Sequence, residues 1–100
     1  MTSEQQIQLE AAAFRRLVKH LDSRKDVQNI ELMNLAGFCR NCLSKWIMAE
    51  ASSSNIDLDY DQARELVYGM PYSQWKDNHQ RPATAEQLAV FNSIQAEKSK

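Results

Sequence analysis

Two thiols three residues apart, Cys39 and Cys42, are the side chains whose type and spacing point most directly to chemistry. On a helix, positions i and i+3 share a face with their Cβ atoms about 5–6 Å apart, so two thiolates placed this way can converge on one metal ion. A structural zinc ion takes four nitrogen or sulfur ligands. The chain has two histidines, His20 and His79, and these complete the candidate set Cys39, Cys42, His20 and His79. His20 plots about 130° from the apolar stripe of its own helix, and the histidines form no H-x-x-x-H pair. The opposing reading makes both cysteines small core hydrophobes, the usual state of a free thiol. Their position near the middle of an apolar helical arc favours that reading. A thioredoxin-like role needs the motif after a strand and at a helix N-terminus, where the dipole lowers the thiol pKa. The pattern here sets the motif about ten residues into a helix with no βαβ unit around it, so redox chemistry is not expected.

Other constellations are weaker. Asp57-Leu58-Asp59-Tyr60-Asp61 imitates the start of a calcium loop, but Gln62 stands where that loop needs Gly and Tyr68 where it needs a bidentate Glu. Three acids capping a helix explain the run better. Arg15, Arg16, Lys19, Arg24 and Lys25 form the basic concentration, with Asp22 and Asp26 interrupting it and no aromatic interleaving to stack bases. A solvated helix face is the expected reading. His20, Asp22, Arg24, Arg40 and Asn41 are the residues that could line a small ligand cleft. Met70-Pro71-Tyr72-x-x-Trp75 sets two amphipathic aromatics beside a turn, as interface anchors or as lids on a small core. No Gly-rich phosphate loop occurs, and nothing in the order of residues marks a Ser-His-Asp arrangement.

These residues need elements to hold them, and the composition points to helices. Glycine and proline number two each in 100 residues, too few for the turns of an all-β fold. Hydrophobic residues at 43% and charged residues at 25% are ordinary for a globular domain. The net charge of −1 supplies no global field to gather nucleic acid or an anionic membrane. The N-terminal run Met1-Thr2-Ser3-Glu4-Gln5-Gln6 lacks the apolar segment of a signal peptide. No apolar stretch approaches membrane-spanning length. A cytoplasmic location with reduced cysteines is therefore expected.

A first helix is predicted from about Ser3 to Asp22, with Ile7, Ala11, Phe14, Leu17, Val18 and Leu21 in one apolar stripe. A second is predicted to start near Asp26 or Asn29 and run to about Ala51 as one continuous apolar rod. Its broad arc takes in Leu32, Leu35, Ala36, Phe38, Cys39, Cys42, Leu43, Trp46 and Ile47. Gly37 falls mid-helix in that reading, at a cost of about 1 kcal/mol relative to Ala. Asp57 or Asp59 caps a third helix that Gly69 ends. Pro71 opens a short fourth. Thr84 with Gln87 forms a capping box for the last. The prediction is an all-α, compact bundle of four to five helices in a single domain, residues 1–100. Residues 1–3 and 97–100 are expected to fray.

The segment from His20-Leu21-Asp22-Ser23-Arg24 through Asp26-Val27-Gln28-Asn29-Ile30 and Leu32 to Trp46, followed by Tyr68-Gly69-Met70-Pro71-Tyr72, resembles a short bacterial family known as domain of unknown function 1244. The resemblance covers about His20 to Gln80 and implies a compact all-α domain of bacterial cytoplasm with no established activity.

The reading that follows is a non-enzymatic interaction module forming a homodimer, with Asn34, Gly37, Trp46, Tyr72 and Trp75 as interface residues. The apolar arc predicted for residues 26–51 is too broad for short neighbouring helices to cover, and symmetric dimers are the commonest oligomers. The alternatives are a zinc-type metal-binding domain and a small enzyme of unknown reaction. Neither membrane nor nucleic acid is an expected partner.

Overall fold

Six helices make up the protein in a computed structural model that describes residues 1–98: α1 (Ser3–Ser23), α2 (Asn29–Ala36), α3 (Arg40–Ser53), α4 (Tyr60–Tyr68), α5 (Tyr72–His79) and α6 (Ala85–Lys98). No strand occurs among the described residues, and none of their helices is long and apolar enough to cross a membrane. The all-α expectation holds, with six helices among the described residues rather than four or five.

Local chemistry accounts for most of the helix limits. At the start of α1 the Thr2 hydroxyl accepts from the Gln5 amide at 3.1 Å, and the Gln5 side chain accepts from the Thr2 N–H at 2.9 Å. Asp59 and Gln62 close the start of α4 in the same reciprocal way, and Thr84 and Gln87 that of α6. Such pairs satisfy two of the first-turn donors that a helix leaves open. Gly69 ends α4 in the left-handed region, as expected. Of the ends expected to fray, Ser3 is the first residue of α1, and Glu97 and Lys98 are the last of α6. Ser99 and Lys100 lie outside the described residues.

The continuous rod from 26 to 51 is not formed. The chain leaves α2 at Gly37, whose φ is +78°, and re-enters helix at Arg40 after an extended Cys39. The Gly37 N–H bonds back to the Met33 carbonyl at 3.0 Å. This is a helix C-terminus of the glycine type, in which the absence of a Cβ removes the cost of a left-handed turn. Gly37 is therefore a stop signal rather than a costly interior residue. The corner also divides the apolar arc that plots on a single helix: Leu35 is 87% exposed and Trp46 56%.

The core forms where α3 and α4 pack together and α5 closes over them. Leu21, Leu43, Val67, Tyr68 and Trp75 are buried there, with Leu32, Phe38, Ile47, Met70 and Tyr72 packed against them. Tyr68 meets both Tyr72 and Trp75 edge-on, at 5.2 and 5.0 Å between ring centroids. α6 packs on α2, where Asn34 Nδ2 donates to the Gln87 carbonyl at 3.0 Å. α1 behaves differently. Leu21 near its end enters the core, yet every residue from Ser3 to Leu17 is exposed. The radius of gyration, 15.5 Å, exceeds the roughly 13 Å of a typical 100-residue domain because the front of α1 extends beyond the body.

Candidate functional site

Arg40 opens α3 and is only 2% exposed. A guanidinium tolerates such burial only where its donors are met, and here both terminal nitrogens are engaged. One terminal nitrogen donates to the Val27 carbonyl at 2.7 Å and to Asn29 Oδ1 at 3.1 Å. The other donates to the carbonyls of Arg24 at 2.9 Å and Leu21 at 3.4 Å. The guanidinium carbon lies 4.9 Å from the centroid of the Trp75 ring. These contacts hold the end of α1 and its turn against α3. Burial pulls the Arg40 pKa below its ordinary value, with the Tyr68 hydroxyl and the Cys39 thiol acting in the opposite direction.

A polar relay continues from Arg40. Asn29 Nδ2 donates to the Tyr68 hydroxyl at 3.0 Å, and that hydroxyl donates to Asn41 Oδ1 at 2.7 Å. Burial, first among the causes, raises the Tyr68 phenol well above its ordinary value of 10.0. Asn29 and Asn41 also form one wall of a cleft of about 490 Å³, and Lys76, Asp77 and Arg81 form the other. Gln28 supports its rim: Nε2 donates to the His79 carbonyl at 2.9 Å, and Oε1 accepts from the Arg81 N–H at 2.9 Å.

The cleft expected from His20, Asp22, Arg24, Arg40 and Asn41 is not assembled. His20 is exposed on α1. Asp22 pairs with Lys25 at 2.8 Å and Arg24 with Asp26 at 3.1 Å, while Arg40 is sealed in the core. Asn41 alone lines the cleft that does form. The two basic residues beyond α1, Arg24 and Lys25, thus face acids, which fits a solvated surface. The acidic run 57–61 supplies the cap Asp59 and the first-turn acid Asp61, as expected of acids at a helix start.

The thiols are adjacent, with 3.8 Å between the Cys39 and Cys42 sulfurs. The corner at Gly37 moves them from the interior of a rod to the N-terminus of α3, with Cys39 as its N-cap. Burial pushes the Cys39 thiol up, against the pull of the backbone N–H groups of Cys42 and Asn41. Neither histidine joins them. The His79 ring lies 5.7 Å from Trp75, and His20 projects from α1. No three of His, Cys, Asp and Glu gather into a metal-holding group among the described residues. Cys42 instead meets Met33 Sδ at 3.7 Å.

The expected interface residues divide. Trp75 is 1% exposed and belongs to the core. Tyr72 is half-buried and donates its hydroxyl to Gln80 Oε1 at 2.9 Å. Asn34 is committed to α6, and Gly37 shapes the corner with open space where a Cβ would stand. Trp46 remains on the surface, stacked on Phe38 with 6.2 Å between centroids.

A second groove, of about 380 Å³, runs between α1, α3 and α4 and is lined by Phe14, Arg15, Val18, Ile47 and Leu66. No motif announces it, because it depends on how the end of α1 sits against α4. The same α1 stripe that marks the helix carries its apolar edge.

A family model described as a protein of unknown function (DUF1244) matches residues 27–93. No curated protein matches the chain.

Proposed function

The chain belongs to the DUF1244 family, proteins of unknown function, and from that premise we propose that it is a non-enzymatic interaction module working as a homodimer through α1. One observation carries this reading. Ile7, Ala11, Phe14, Val18 and Leu21 alternate steps of four and three along α1, the spacing of a helix that packs against another helix. Only Leu21, at the end of that seam, is buried in this chain. Ile7 is 65% exposed and Phe14 36%.

The seam fits a second copy of itself in the antiparallel sense. Residues whose numbers sum to 25 then face one another, which sets Ile7 opposite Val18 and the small Ala11 opposite the large Phe14. The front of the partner helix would lie beside the groove formed by Val18, Ile47 and Leu66. Charge favours the same sense. The front half of α1 carries Glu4 and Glu10, and the rear half carries Arg15, Arg16 and Lys19 against the single acid Asp22. Antiparallel helices bring unlike halves together within a screening length of about 8–10 Å, whereas parallel helices bring like halves together.

The zinc-type reading has less support because the histidines lie away from the thiols. The small-enzyme reading has less because its candidate cleft residues are not brought together: Asp22 and Arg24 are held in ion pairs, Arg40 lies in the core and His20 stands exposed on α1. Sedimentation velocity at low micromolar concentration tests the dimer. Wild type is expected as a dimer and Ile7→Asp as a monomer with unchanged helical circular dichroism. A wild-type monomer would remove the proposal, and a dimer indifferent to Ile7→Asp would move the interface elsewhere.

A further inference from the structure

Three sulfur atoms meet at the corner between α2 and α3. Cys39 and Cys42 lie 3.8 Å apart, and Cys42 lies 3.7 Å from the Met33 thioether. Met33 comes from the second half of α2, Cys39 is the N-cap of α3 and Cys42 lies in its first turn. The left-handed turn at Gly37 folds the end of one helix onto the start of the next, so residues from two helices converge.

We propose that this corner binds one soft monovalent metal ion of the copper(I) type, with Cys39 and Cys42 as thiolate ligands and Met33 as the thioether ligand. Ligand softness decides the class of ion: thiolate and thioether donors select copper(I), whereas imidazole and carboxylate donors suit the harder divalent ions. Structural zinc needs four donors from the Cys, His and carboxylate set, and no such set is gathered here among the described residues. The spacing also fits. Sulfurs held about 2.3 Å from one ion lie about 3.8–4 Å from each other, so the two observed separations already approach those of a closed site. Binding releases the proton of each thiol. Cys39 is buried while Cys42 and Met33 are half-buried, which leaves an approach from the Cys42 and Met33 side.

The test is an anaerobic titration of the fully reduced protein against copper(I) held by a competing chromogenic chelator, with X-ray absorption reading the ligand shell. One ion per chain in a shell of three sulfurs is expected. Met33→Leu, a change that conserves volume, is expected to weaken binding by about tenfold or more, at least the loss that follows removal of a supporting group from a metal site, and to leave two sulfurs in the shell. Cys42→Ser is expected to abolish competition with the chelator. Replacing the buried Cys39 endangers the fold, so these two variants carry the test, each checked by circular dichroism. Failure to take the ion from the chelator, nitrogen in the shell, or an affinity indifferent to Met33→Leu would each overturn the proposal.

Discussion

Arg40 carries a full charge and is 2% exposed, whereas Ile7 carries none and is 65% exposed. Around Arg40 the carbonyls of Leu21, Arg24 and Val27, the Asn29 amide and the Trp75 face surround a single guanidinium. Along the front of α1 the helix runs past the body, and its apolar stripe has no intramolecular cover. The contrast shows that residue type alone does not decide burial. A charge goes inside where its donors are met, and an apolar chain stays outside where no second surface of the same molecule reaches it.

The largest expected effect tests the first half of that comparison. Arg40→Met keeps much of the volume but withdraws donors from three carbonyls, and an orphaned buried polar group costs about 1–3 kcal/mol. Urea unfolding is expected to show a loss of about 3 kcal/mol or more, with little recovery in Arg40→Lys because the ammonium cannot reproduce the planar fork. Leu9→Ala, on the exposed side of α1 away from the seam, is expected to change stability by no more than about 0.5 kcal/mol. Equal effects at the two positions would erase the distinction between the regions.

A second, smaller effect concerns alkaline pH. Burial raises the folded-state pKa of Tyr68 above 10.0 and that of Cys39 above 9.0. An acid whose folded pKa is raised contributes stability that is complete below its ordinary value and is lost as pH rises beyond it. The urea midpoint is therefore expected to fall progressively from about pH 9 upward. Tyr68→Phe should flatten the portion above about pH 10. An unaltered slope in that variant would place the titrating group elsewhere.

The smallest effect separates the two accounts of residues 26–51. In a continuous helix Gly37→Ala would stabilise by about 1 kcal/mol. At a left-handed turn it costs about 1 kcal/mol instead, although no atom lies within 4 Å of the added Cβ. The sign of the change in a chemical denaturation curve decides between them.

Much of the fold is legible in local chemistry. Thr84 with Gln87, Asp59 and Gly69 mark helix limits because their signals act within a few residues. The α1 stripe likewise announces its helix. The Gly37 corner is misread because helical periodicity on both sides stays in phase, so that one residue's backbone state outweighs a long apolar pattern. The candidate site is less legible. CxxC gives two of the three sulfurs, but Met33 lies outside any motif and joins them only when the chain turns. Arg40 carries no local sign of burial, since its partners are backbone carbonyls that every sequence possesses. Trp75 reads equally as anchor or as core until the neighbours that cover it are known.

The reciprocal caps of α1, α4 and α6 all use glutamine at the inner position, Gln5, Gln62 and Gln87, whereas α2 uses the Glu31 carboxylate toward the Gln28 N–H. Amides and hydroxyls bind no proton in the acid range. The pairs that start α1 and α6 therefore contain no ionisable group, whereas those that start α2 and α4 each set one carboxylate, Glu31 or Asp59, against a backbone N–H beside the helices that enclose the Arg40 relay.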